Sequence, residues 1–178
     1  AYYSKGADSK EMFSELEISK DEDFRKHLNK YDVIHMDIQW FLANCKDVNH
    51  IVEFITKNIL DELKEIYPEI LSDEVSYLPD ALSRIKDKTG QKFIVIIDEW
   101  DAMFRECKGK ETILDSYILL LRSLFKSSLT DQLFAGVYMT GILPIKKYGP
   151  ESAVSDFYEY SMVEPRPLQE YIGFTTEE

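Results

Sequence analysis

Three carboxylates in four positions, Asp98, Glu99 and Asp101, follow directly on five apolar residues, Phe93-Ile94-Val95-Ile96-Ile97. Carboxylates at the end of such a run suit one chemistry in particular. An aspartate leaving a strand can hold Mg²⁺ through its waters, and the glutamate beside it can orient a water for attack on a phosphoryl group. That is the pattern of a Walker B segment. A second reading of the same residues stays open. Acidic side chains after a strand also cap the helix that follows, so Asp98 or Asp101 could cap a turn running through Phe104. Capping accounts for one carboxylate but leaves the others unexplained.

The apolar run itself reads as a strand buried on both faces, the habit of parallel sheets, and α/β folds build ligand sites at the carboxyl ends of such strands. Phosphoryl transfer also needs a phosphate cradle, G-x-x-x-x-G-K-[ST]. None of the seven glycines supplies it. Only Gly109 is followed by lysine, the next residue is Glu111, and Phe104 stands where the first glycine of the motif would be.

Elements that could position the carboxylates alternate along the chain. Short helices are expected at Asp8 to Leu16 and Asp21 to Asn29, and a strand at Tyr31 to Ile38. A long helix from Asn49 to Tyr67 carries Ile51, Phe54, Ile55, Ile59, Leu63 and Ile66 on one stripe, and Pro68 ends it. A helix at Leu78 to Lys88 stops at Gly90. The central strand is Lys92 to Asp98. After a turn at Lys108 to Lys110, a helix at Thr112 to Ser127 turns Leu114, Ile118, Leu121 and Phe125 inward. A third strand at Leu133 to Ile142 contains Thr140-Gly141, Pro144 to Gly149 is a loop, and Phe157 to Met162 is a fourth strand. This alternation predicts βαβ units in an α/β fold with a mostly parallel sheet.

Composition narrows the function further. The chain has 178 residues, 44% hydrophobic and 30% charged, which suits one domain with a real core. A net charge of −12 argues against a dominant nucleic-acid-binding face. Lys146-Lys147 and Lys108-Gly109-Lys110 are the nearest approach to a basic patch. No apolar run approaches the ~20 residues of a membrane span. Cys45 and Cys107 lack zinc spacing or an activating neighbour and read as inert reduced thiols of a cytoplasmic protein. Both ends read as cuts within a longer protein: Ala1 is no initiator, and Thr175 and Glu178 have capping-box spacing with no helix after them.

Other residues carry plainer expectations. Asp101 is read as a cap or as the partner of Arg105, Trp100 as a packing residue, and Gly141 as a tight-turn glycine. His27, His35 and His50 form no ligand set. His35 is expected half-buried, and Tyr31 and Tyr160 at the core edge. Thr140 is either an ordinary strand-end hydroxyl or a group that reads phosphate. Arg122 is read as a surface arginine. Nuclease chemistry at Asp98 and Glu99 would need further spaced carboxylates and a lysine, which the sequence does not offer.

Ile96-Ile97-Asp98-Glu99-Trp100-Asp101, Thr140-Gly141-Ile142-Leu143-Pro144-Ile145-Lys146 and Tyr2-Tyr3-Ser4-Lys5-Gly6 together resemble the predicted AAA-ATPase-like family of bacteria and archaea. Its members look like archaeal-type P-loop ATPases, and many carry a nuclease-like domain near the C-terminus. The resemblance implies a three-layer αβα fold. It implies that residues 1–165 form the ATPase-like core and that 166–178 link to a truncated helical region. By the same resemblance Asp98 binds Mg²⁺, Glu99 activates water and Thr140 is the sensor of the γ-phosphate. ATP and Mg²⁺ would be bound by the full-length parent. The Walker A would lie upstream of Ala1, so the isolated chain is expected to be inactive. The strand that carries it would sit between the sensor strand and the last strand of the sheet. Without it, the edge of Phe134 to Thr140 is bare and open to self-association. The alternative is a degenerate ATPase fold serving as a non-catalytic interaction module, its acidic surface meeting a basic partner.

Overall fold

The computed structural model describes residues 1–126, 128–144, 157–161 and 163. Three parallel strands form one sheet: β1 (Asp32–Asp37), β2 (Phe93–Asp98) and β3 (Phe134–Met139), in the order β1-β2-β3. The β-branched run predicted to be central is central. In β2, Phe93, Ile94, Val95 and Ile97 are buried, and Ile96 and Asp98 are half-buried.

Before β1 come α1 (Lys10–Ser14) and α2 (Phe24–His27); between the strands run α3 (Ile38–Asn44), α4 (Ile51–Ile66) and α5 (Leu78–Thr89), then α6 (Ala102–Glu106), α7 (Glu111–Phe125) and α8 (Thr130–Leu133). The long helices follow the sequence closely. Gly90 ends α5 in the left-handed conformation, at φ 72°. α4 buries Ile51, Ile55, Ile59, Leu60 and Leu63, and each such side chain stabilises the fold by roughly 1.5–3 kcal/mol. Ile66, placed on that stripe, is instead exposed.

Several expectations are corrected. The first two helices are short, and a 3₁₀ turn at Glu17–Lys20 lies between them. Their stretch is ordered by tertiary hydrogen bonds rather than by helical repeat. The strand expected to run through Ile38 ends at Asp37, whose side chain accepts the Trp40 backbone N–H at 2.9 Å and starts α3. Residues 157–161 join no strand; Phe157 packs against Phe125 with ring centroids 5.7 Å apart. His35 and Tyr160 are exposed, and Arg122 is half-buried on α7. Ser127, Met162, the loop from 145 to 149 with Lys146-Lys147, and the whole 166–178 region lie outside the described residues.

The core packs against one face of the sheet, through Met36, Phe93, Val95, Ile97 and Phe134. Val33, His35, Ile96 and Tyr138 stand outside it, and Tyr138 is 57% exposed. The fold is thus mixed α/β, a three-stranded parallel sheet with helices, compatible with the expected αβα layering; Ile94, on the other face, is also buried. Among the described residues, no helix is long and apolar enough to cross a membrane.

Candidate functional site

The carboxyl ends of all three strands meet where the sequence placed its chemistry. Asp98 ends β2 beside Asp37 of β1, its register partner. Thr140 follows β3 directly, its backbone N–H donating to the Ile97 carbonyl at 2.9 Å and its own carbonyl accepting from Trp100 at 3.0 Å. These bonds extend the ladder past the formal strand ends and bring Thr140 to Asp98. The Thr140 hydroxyl donates to Asp98 Oδ1. The same oxygen accepts the Glu99 backbone N–H at 3.1 Å, and that N–H also lies 3.4 Å from Thr140 Oγ1. Asp98 Oδ2 has no hydrogen-bond partner among the described residues.

Glu99 has a positive φ of 54°. For a side chain with a Cβ this left-handed conformation costs on the order of 1–2 kcal/mol and persists only when neighbours over-determine it. The neighbours are on hand. Trp100 is buried with its N–H on Thr140, and the Glu99 carboxylate pairs with Arg105 Nη2. Arg105 reaches back with Nη1 to Asp101 Oδ2 at 2.7 Å. The bonds to Glu99, then to Asp101, push the Arg105 guanidinium further above its ordinary pKa.

Asp101 is fully buried. Besides Arg105, it accepts the backbone N–H groups of Ile142 at 3.3 Å and Leu143 at 3.1 Å. It thus ties α6 to the segment after β3, and the expected pairing with Arg105 is present. Its side chain makes no helix-capping bond. Neither does that of Asp98, whose bonds go to Glu99 and Thr140. Gly141 has its reason here too. A Cβ on it would stand 2.5 Å from both Asp101 Oδ1 and Trp100 Cδ1. Close approach rather than a left-handed turn requires the glycine. Trp100 packs on Phe104 with centroids 5.4 Å apart, and its carbonyl accepts from the buried Tyr117 hydroxyl at 3.0 Å. Burial, reinforced by Asp101, pushes that phenol far up.

Among the described residues, no three His, Cys, Asp or Glu side chains converge into a metal cage. A cation held here by Asp98 must therefore keep most of its own waters or borrow ligand oxygens. Mg²⁺ behaves in that way. Asp37 beside Asp98 adds negative charge that favours a cation. Cys107, which follows α6, is buried, and burial pushes its thiol up.

Two participants escaped the sequence reading. Asp37 was missed although it ends β1 as Asp98 ends β2. Arg105 was assigned to Asp101 alone, whereas it also holds Glu99. Beside the site, β3 pairs with β2 alone among the described residues. Along it lies an open groove of about 1300 Å³, lined by Val137, Tyr138, Met139, Thr140 and residues 157–161.

A family model described as Predicted AAA-ATPase matches residues 1–149. No curated protein and no solved structure matches the chain.

Proposed function

The chain belongs to the Predicted AAA-ATPase family, and from that premise we propose that it supplies the metal-holding, water-orienting and phosphate-sensing part of an ATP-hydrolysing site. The observation that carries this reading is the Thr140–Asp98–Glu99 cluster at the carboxyl ends of β2 and β3. Mg²⁺, when bound, would offset charge developing on the phosphate oxygens. Asp98 would hold it through Oδ2, the carboxylate oxygen left open by the present bonds. Glu99 would act as base toward the attacking water. In the present arrangement its carboxylate is committed to Arg105, so the base works only after that pair loosens. A threonine hydroxyl has a single proton to donate. Thr140 gives it to Asp98 here, and reading a phosphate would require moving that bond to a phosphate oxygen.

The phosphate loop is not among the 178 residues, and we assign it to another segment whose strand pairs along the edge of β3 that has no partner strand among the described residues. Without such a strand, the edge is open to a second copy of the chain. By itself the chain is then expected to be inactive, with ATP and Mg²⁺ bound only once the loop is in place. The Glu99–Arg105 pair and the missing loop also favour a second reading, a non-catalytic interaction module.

The test is to join a Gly-Lys-Ser-bearing strand and helix ahead of Ala1 and measure ATP turnover and nucleotide binding. Restored turnover that Glu99→Gln lowers by about 10²-fold or more, with binding kept, is the expected result. Turnover indifferent to Glu99→Gln would sink the assignment. Binding without turnover would favour the module.

A further inference from the structure

The other edge of the sheet also pairs with no further strand among the described residues, and its chemistry differs. The chain's own segment begins to pair there. Tyr31 donates its N–H to the Tyr3 carbonyl at 2.9 Å and accepts the Lys5 N–H at 2.9 Å, a parallel bridge just before β1. After Gly6 the segment turns away, with Ala7 N–H donating to the Ser4 carbonyl at 3.1 Å. Backbone groups alternate in direction along a strand. Tyr31 presents both of its groups to the outer edge, so Val33 and His35 do the same. Among the described residues β1 pairs with no strand but β2, which leaves those groups without a ladder partner.

Beside this edge runs a groove of about 920 Å³ between β1 and α4. Its charge is one-sided. Lys5 is its only lysine or arginine among the described residues, and Lys5 is committed to Asp32 at 2.7 Å. Asp37, Glu62 and Glu65 line it with no ion pair among the described residues. Two large apolar side chains, Trp40 at 50% and Ile66 at 54% exposure, also line it.

We propose that this groove binds an extended basic segment of a partner protein, which adds a strand to the outer edge of β1. The main-chain groups of Val33 and His35 supply the ladder, Glu62 and Glu65 select lysine or arginine, and Trp40 and Ile66 take apolar side chains between them. The occupant is basic because the groove is acidic and the chain carries a net charge of −12. Two copies of this chain would repel one another there. The inference does not rest on the ATPase reading: the outer edge of β1, Glu62, Glu65, Trp40 and Ile66 carry it, and Asp37 alone among the named lining residues also borders the Asp98 site.

The experiment titrates the 178-residue chain with a fluorescently labelled peptide of about eight alternating lysine and valine residues, followed by anisotropy and by amide hydrogen exchange. Saturable binding should slow exchange at the Val33 and His35 amides specifically. Glu62→Lys combined with Glu65→Lys should weaken it about tenfold or more. Both positions are exposed on α4, so the unfolding midpoint should hold. The same peptide N-methylated at alternate residues keeps its charge but cannot donate to a ladder, and it should fail to bind. Equal binding of the methylated peptide, unchanged exchange at Val33 and His35, or no binding of the parent peptide would each overturn the proposal.

Discussion

The two ends of this parallel sheet are both built on charged networks, yet they are built differently. At the amino end, Lys5 bonds Asp32, Tyr67 and Gln91, and the Tyr67 hydroxyl donates to Asp32 at 2.6 Å. Lys5 and Asp32, the two charges of that network, are paired with each other, and the network joins the first residues, β1, the end of α4 and the approach to β2. At the carboxyl end one oxygen of Asp98 is left over, Glu99 is held in a left-handed conformation, and Thr140 has spent its single proton on a carboxylate. A closed network stabilises, whereas an unfinished one leaves groups for something else to complete. The contrast extends to burial. The amino-end clasp is half-exposed, while the carboxyl end hangs on one fully buried carboxylate, Asp101.

That difference can be broken most directly at Asp101. Asp101→Ala would leave the Ile142 and Leu143 N–H groups without their acceptor and strip Arg105 of one partner. The expected loss in urea unfolding is about 3 kcal/mol or more, as for other broken buried pairs. Asp32→Ala, at the clasp, removes a carboxylate that water can partly replace, and about 1–2 kcal/mol is expected. Equal losses at the two positions would mean that the ends do not differ in the way described.

A subtler comparison uses the two positive-φ residues, Asn29 at 55° and Glu99 at 54°. Asn29 tolerates the conformation, and its side chain binds the carbonyls of Ala1 at 2.9 Å and Ser4 at 2.9 Å and the N–H of Ser9 at 3.3 Å. Glu99 has no such local compensation apart from the ion pair to Arg105. Asn29→Gly should therefore cost about 1–2 kcal/mol, through lost hydrogen bonds. Glu99→Gly relieves on the order of 1–2 kcal/mol of conformational strain and gives up glycine entropy and a surface ion pair, so its net effect is expected near zero. Thermal unfolding of both variants decides it. A Glu99→Gly loss as large as that of Asn29→Gly would show that the left-handed turn is not strained.

How legible each end was in the sequence follows the same physics. β2 was readable to within a residue because a β-branched run needs no partner to be recognised. The stripes of α4 and α7 were readable because helical spacing is local, and the end of α5 because Gly90 marks it. α3 was not, because Asp37 and Ile38 prolong a strand-like alternation and only the capping bond to Trp40 reveals the break. The first thirty or so residues were over-read as helix, since their order comes from the Asn29 knot between distant segments. At the site, the residue types of Asp98, Glu99 and Thr140 could be picked out, but the Thr140–Asp98 bond depends on sheet register. The Arg105–Glu99 pair depends on a left-handed glutamate, a conformation so rare for that residue that no pattern would predict it.

The smallest expected effect sharpens the comparison from the amino end. Burial raises the Tyr67 phenol above its ordinary pKa, and its bond to Asp32 adds to this. Burial works against the Lys5 ammonium, but the bonds to Asp32 and Tyr67 outweigh it, and Lys5 too is raised. Both folded pKa values exceed the unfolded ones, so the folded chain holds these protons more tightly. Their stabilisation is complete below the ordinary values near pH 10 and is lost as pH rises through the raised ones. Tyr117, raised by burial at the other end, contributes with the same sign. The measurement is therefore the difference between two curves. Tyr67→Phe should cost about 1 kcal/mol at neutral pH through the lost bond to Asp32. It should also flatten the fall of stability between about pH 9 and about pH 11, because one raised group is gone and Lys5 has lost part of its support. If the wild-type and Tyr67→Phe curves run parallel through that range, the alkaline sensitivity belongs to the buried carboxyl end, and the clasp is held by packing rather than by its protons.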